Sequence, residues 1–157
     1  MTKSLEETHP NLCPKSFIRY KNDCYYRSIV MGDYNTSELN CAAKGSRIIS
    51  IKDRATYQFI RMWAAANRFG DFFLGLNFTT GDPDAPVKYS DGTPYNKSEH
   101  FAFDDSSEKF GKKECVYLKK GVTYKPRDTT CETEMEQICH WNSKYTRICT
   151  DAIYVLF

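Results

Sequence analysis

Seven cysteines in a chain of 157 residues restrict its fold more than any other feature of the sequence. Their successive spacings of 11, 17, 74, 16, 8 and 10 residues include neither a C-x-x-C pair nor the paired Cys/His pattern of a zinc site. Disulfide bonds are therefore the expected use of these thiols, and such bonds persist in oxidising compartments. The sequence predicts a secreted protein or the extracellular part of a receptor.

Composition and charge exclude several other classes of protein. With 41% apolar and 15% aromatic residues, the chain has the composition of one ordered domain. Its 22 basic and 20 acidic side chains leave a net charge of +2, so no overall field favours nucleic acid or a membrane surface. The longest apolar run, AIYVLF, is far shorter than the roughly 20 residues that span a bilayer. The N-terminus, MTKSLEETHP, lacks the apolar core of a signal peptide, so an extracellular location requires a leader outside this sequence.

Three acceptor motifs for N-glycosylation support the extracellular location. They begin at Asn35, Asn77 and Asn96, each followed at the second position by Ser or Thr. The motifs predict glycosylation at these asparagines.

Hydrophobic patterning places a hairpin and two helices in the first half of the chain. The segment CPKSFIRYKNDCYY predicts a small hairpin that a Cys13–Cys24 bridge would staple. Asn35 is the expected N-cap of a short helix, with Glu38 as its capping partner and Gly45 as its end. A strand follows at RIISI. Asp53 then caps a second helix whose apolar stripe is core: Tyr57, Ile60, Trp63 and Ala64.

The pattern of the second half of the chain predicts strands on either side of a long loop. DFFLGL predicts a strand, and roughly 35 residues from Asn77 to Gly111 then lack periodicity, which is far longer than an ordinary connection and so indicates a functional loop. ECVYLKK and GVTYK predict strands joined by a turn at 119–121, and EQICHW predicts the last strand. This order of elements is that of an α+β domain.

Four short motifs lie in order along the second half: FLGL at 73–76, YSDGTP at 89–94, Phe101, and the segments ECVYL and DTTC…QIC. With six cysteines in the same order, this combination resembles the C-type lectin-like domain over residues 13–141. The resemblance implies two helices, small antiparallel sheets and a long loop region, with tails at 1–12 and 142–157. It also implies the pairs Cys13–Cys24, Cys41–Cys139 and Cys115–Cys131, which leaves Cys149 for an interchain bond or a free thiol.

The same resemblance bears on calcium. Sugar-binding members hold the ion through five side chains, and Ca²⁺ needs six to eight oxygen ligands. Counting back from the cysteines places Asp105, Ser107, Lys113, Arg127 and Asp128 at those positions. Two cations replace ligands, so the resemblance implies no calcium-dependent sugar site and no cofactor. The weak metal candidates that remain are Asp105, Glu114 and Asp128, and a displaced site could use Asp82, Asp84 or Asp104.

Cations and tyrosines suggest a different ligand for this region. We expect a basic face that holds sulfate, carboxylate or phosphate groups, with Tyr124 and Tyr117 interleaved among the cations. A solvated rim, with Arg127 paired to Asp128 or Asp105, is the alternative interpretation. The cations are Lys112, Lys113, Lys119, Lys120, Lys125 and Arg127.

Binding, not catalysis, is the expected function. The chain has three histidines, with no Ser/His/Asp spacing and no phosphate loop among its motifs. The first hypothesis is calcium-independent recognition of a protein ligand. The second is recognition of an anionic glycan through the long-loop face, and the third is a structural secreted subunit that is disulfide-linked through Cys149.

Overall fold

The computed structural model describes residues 13–77, 87–95 and 114–142, which contain two helices and nine strands. The helices are α1 (Tyr34–Ala42) and α2 (Arg54–Ala66). The strands are β1 (Ile18–Tyr20), β2 (Asp23–Gly32), β3 (Arg47–Ile48), β4 (Phe72–Asn77), β5 (Val87–Tyr89), β6 (Pro94–Tyr95), β7 (Cys115–Lys119), β8 (Lys125–Thr129) and β9 (Met135–Trp141).

The strands are joined into one mixed sheet. Its main path runs β1-β2-β9-β4-β5-β6, with β3 paired to β9 and with β7 between β4 and β8. β4 and β9 are parallel, and the other pairs are antiparallel. The α+β class and the two helices are confirmed. Neither described helix has the length and apolar character needed to cross a membrane.

Both helices begin at aspartate caps. Asp53 accepts a hydrogen bond from the backbone N–H of Thr56 at 2.8 Å, as predicted. The cap of α1 is Asp33, which accepts from the N–H of Thr36 at 2.8 Å, so the prediction of Asn35 as the cap is wrong. The helix starts earlier because Tyr34 is a buried core residue of its first turn. Asn35 is exposed in that turn.

The three predicted disulfides are present. Cys13–Cys24 closes the first hairpin, and Cys41–Cys139 joins α1 to β9 through two fully buried cysteines. Cys115–Cys131 links the start of β7 to the second residue beyond the end of β8. Cys41–Cys139 therefore ties the helical side of the domain to the central strand, whereas the other two bridges each close a hairpin.

The second half departs from the sequence prediction at two places. The segment 77–111, expected to be loop, contains the hairpin of β5 and β6, whose turn includes Gly92 at φ +90°. GVTYK, expected to be a strand, forms most of the turn between β7 and β8, and the strand begins at Lys125. Tyr124 ends this turn at φ +47°, a left-handed conformation that regular strands exclude.

Gly75, in the FLGL motif, lies where β4 passes closest to the backbone around β3. Its N–H donates to the carbonyl of Ile49 at 2.7 Å, and its carbonyl accepts from the N–H of Ser90 at 2.8 Å. A Cβ at this position would lie 2.7 Å and 2.9 Å from the carbonyl oxygens of Ile48 and Ile49. The motif therefore needs glycine because two backbone segments meet there.

We expect Gly75→Ala to lower the free energy of unfolding by about 1–3 kcal/mol or more, as overpacking of a tight site does. The measurement is the urea midpoint of both proteins. Gly121→Ala is the matched control, because a Cβ on Gly121 would meet only the carbonyl oxygen of Lys119, at 4.0 Å. Equal midpoints for the two variants would contradict this account.

Candidate functional site

The described part of the predicted ligand face is the β7–β8 hairpin. It carries Glu114, Tyr117, Tyr124, Lys125, Arg127 and Asp128. Other predicted residues lie outside the described ranges: Asp82, Asp84, Asn96, Phe101, Asp104, Asp105, Ser107, Lys112, Lys113 and Cys149.

Arg127 and Asp128 lie in β8 and not in a turn. Arg127 pairs across the ladder with Tyr117, and Asp128 pairs with Val116. Since successive side chains of a strand leave opposite faces, Arg127 shares a face with the half-buried Tyr117, and Asp128 shares one with the buried Val116. Arg127 also donates from Nη1 to the carbonyl of Pro126 at 2.8 Å. The side chains of Arg127 and Asp128 therefore leave β8 on opposite faces.

Two of the five predicted calcium-ligand positions lie in the described ranges, Arg127 and Asp128. Asp128 is the one carboxylate at the family's ligand positions that the described ranges include, and Arg127 beside it offers no oxygen. Glu114 is exposed at the start of β7. Among residues 13–77, 87–95 and 114–142, no three His, Cys, Asp or Glu side chains cluster in a way that could hold a metal.

The side chain of Tyr124 belongs to the core, whereas the sequence predicted it on the ligand face. Its side chain is 1% exposed, and its ring centroid lies 5.9 Å from that of Phe72. Its hydroxyl donates to the carbonyl of Phe69 at 2.5 Å and lies 3.4 Å from that of Ala64. The left-handed backbone of Tyr124 ends the turn, and its hydroxyl reaches the C-terminal part of α2 at Ala64.

Buried and half-buried groups hold the turn between β7 and β8. The hydroxyl of Tyr57, on α2, lies 2.7 Å from the carbonyl oxygen of Thr123 and 3.0 Å from that of Tyr124. On the other side, Asp71 accepts from the backbone N–H of Lys120 at 2.7 Å. Together with the hydroxyl of Tyr124, these contacts tie the turn to α2 and to the segment before β4.

The turn presents cations around an open depression of about 270 Å³. Lys119, Lys120 and Lys125 are exposed, and Val122 is 96% exposed at the tip. We call residues 119–125 the basic turn; Arg127 lines the same depression from the middle of β8. The sequence predicted its cations but missed Val122, because GVTYK has the pattern of a strand. The lining residues are Lys119, Lys120, Gly121, Val122, Thr123, Tyr124, Lys125 and Arg127.

The hairpin divides the predicted basic face. The basic turn lies at one end of β7 and β8, whereas Cys115 and Cys131 mark the other end, where the chain enters from the long loop. Charged groups near the turn affect the pKa of Tyr117. Burial raises the pKa of Tyr117, Asp71 raises this pKa further, and Arg127 opposes both effects. Asp71 and Arg127 therefore both act on this one phenol.

Sequence comparison relates the chain to proteins that contain a C-type lectin domain. Residues 32–141 match the profile described as the Lectin C-type domain. The human C-type lectin domain family 2 member B is 27% identical over 129 residues, which cover 82% of this chain and 75% of that protein. The rat killer cell lectin-like receptor subfamily B member 1B allele C is 24% identical over 151 residues, covering 96% of this chain and 63% of the receptor. The chain thus spans less than two thirds of the rat receptor.

Solved structures share the fold. The C-type lectin domain of murine dendritic cell inhibitory receptor 2, solved in complex with N-glycan, has a TM-score of 0.67 at 24% identity, covering 84% of this chain and 100% of that one. A calcium-independent type II antifreeze protein has a TM-score of 0.62 at 18% identity, covering 83% and 95%. These likenesses concern the fold alone. The profile match, the three bridges and the glycine-dependent FLGL strand together assign the chain: it belongs to the C-type lectin domain family.

Proposed function

We propose that this domain is an extracellular recognition module that binds a protein ligand without calcium. The observation that carries the proposal is Arg127, a permanent cation in β8 at a position where the family's sugar-binding members have a calcium ligand. A unit charge about 4 Å from a divalent cation costs several kcal/mol even at an effective dielectric constant of 20. The side chain therefore removes one oxygen ligand and also repels the ion.

Similarity to receptors supports the recognition role. The human and rat relatives are named as a C-type lectin domain family member and a killer cell lectin-like receptor. Three disulfides in the described residues suit an oxidising, extracellular location. The calcium-independent antifreeze protein is an example of the same fold working without the ion.

Calcium titration tests the proposal. We expect no heat of binding and no change in melting temperature up to millimolar calcium. The test is sensitive, because a micromolar site at 1 mM calcium would stabilise the folded domain by about 4 kcal/mol. Asp128→Asn is the matched variant: saturable heat that this substitution abolishes would place a working calcium site at β8 and contradict the proposal.

Glycan binding is the second candidate function, and the N-glycan complex of the murine receptor domain favours it. A glycan array read with and without EDTA separates the candidates. The proposed function predicts no EDTA-sensitive signal for mannose or galactose. Specific, EDTA-resistant binding to sulfated or sialylated glycans would instead favour the second candidate.

A further inference from the structure

We propose that the basic turn is the surface that binds an acidic segment of a protein partner. This inference rests on the proposed function, because it takes the ligand to be a protein, and it assigns the contact to a specific place. The basic turn lies at the opposite end of the β7–β8 hairpin from Cys115 and Cys131.

Local charge supports an anionic partner. Residues 119–127 contain four cations and no carboxylate, although the whole chain has a net charge of only +2. The carboxylate of Asp71 lies beside the turn, and its Oδ1 accepts the backbone N–H of Lys120. The lysine side chains at 119 and 120 are exposed. A concentration of like charge on an otherwise balanced chain creates a local field that attracts acidic groups.

Preorganisation supports a binding role. An exposed turn that was free to move would lose conformational entropy when a partner ordered it. This turn is already fixed, because Tyr57 holds the carbonyls of Thr123 and Tyr124 while Tyr124 is anchored in the core. The cations therefore project from a backbone that needs no rearrangement.

Val122 favours a polypeptide over a sulfated glycan. Its side chain is almost fully exposed among the cations that line the depression. Protein interfaces combine an apolar centre with a polar and charged rim, and covering this isopropyl group would contribute to affinity. A sulfated sugar offers anionic groups but little apolar surface to cover it. The arrangement thus fits a segment in which acidic residues flank an apolar one.

Two fluorescent peptides test this assignment by anisotropy in EDTA. One consists of eight glutamates, and the other has four glutamates on each side of a leucine. We expect Lys119→Glu combined with Lys120→Glu to weaken both peptides about tenfold or more, and higher salt to weaken binding by the native domain. Val122→Ser should weaken only the leucine peptide, by about threefold, since it changes no charge. Unchanged melting temperatures establish that the variants are folded.

Lys15→Glu combined with Lys44→Glu is the matched control, because both lysines are exposed elsewhere on the domain. An equal loss in this control, unchanged affinity in the turn variant, or no peptide binding at all would overturn the assignment. Heparin binding that depends on Lys119 and Lys120 but not on Val122, without peptide binding, would assign the surface to sulfated glycans instead. Calcium binding in the titration would contradict the proposed function and leave the peptide result standing.

Discussion

Replacing Cys41 and Cys139 together by alanine is expected to lower the free energy of unfolding by about 4–5 kcal/mol. The two cysteines are 98 residues apart in sequence, and both are fully buried. In the chain-entropy account, a bridge across so long a loop removes many conformations from the unfolded chain. For a domain of this size, the loss corresponds to a fall in melting temperature of roughly 15 °C.

Urea unfolding under conditions that keep the other two bridges oxidised measures this loss. The control is replacement of Cys13 and Cys24, whose bridge closes a loop of only 11 residues and is worth about 3 kcal/mol in the same account. The difference of about 2 kcal/mol between the two variants isolates the effect of loop length. Equal losses would show that local packing, and not loop closure, determines the contribution of the long-range bridge.

The caps of the two helices show what a sequence pattern can and cannot predict. Asp53 was correctly predicted as a cap because a single candidate precedes a clear apolar stripe. In GDYNTSEL, Asp33 and Asn35 are both suitable caps, and the local pattern does not separate them. The choice follows from tertiary packing, since Tyr34 contributes to the core and must lie within the helix. A single sequence does not show which of its aromatic residues is buried.

The β7–β8 hairpin shows a limit of a different kind. KPRDT has poor strand propensity, yet it pairs residue by residue with β7 from Cys115↔Thr129 to Lys119↔Lys125. Pro126 is tolerated because β8 pairs only with β7 among the described strands and so forms an edge of the sheet. The register of β8 follows from its pairing with β7. The segment GVTYK alone does not reveal that pairing.

The same limit applies to the candidate site. Counting from Cys131 placed Arg127 and Asp128 on the predicted ligand face, and composition drew attention to the lysines of the basic turn. Because β7 and β8 are extended, these lysines nevertheless lie at the turn end of the hairpin, away from Cys115 and Cys131. Tyr124 lies among these cations in sequence but in the core in space.

Tyr124→Ala is expected to lower the free energy of unfolding by about 3–5 kcal/mol, as truncation of large buried aromatics does. The side chain packs against Phe72 and closes the interior below the basic turn. Tyr124→Phe keeps the ring but removes the hydroxyl that bonds the carbonyl of Phe69, so its cost should be about 1 kcal/mol. Urea unfolding of the three proteins measures both effects.

Comparison of Tyr124→Phe with Tyr124→Ala also distinguishes a structural role of Tyr124 from a ligand-binding role. If Tyr124 acted through its hydroxyl at a ligand face, Tyr124→Phe would abolish binding while leaving stability almost unchanged. A core role predicts the reverse: Tyr124→Phe keeps peptide affinity within about twofold, because the cations of the turn remain in place. Tyr124→Ala loses stability first, and it weakens binding only as the turn loses its anchor to the carbonyl of Phe69. Large loss of affinity in a stable Tyr124→Phe domain would refute a purely structural role for this side chain.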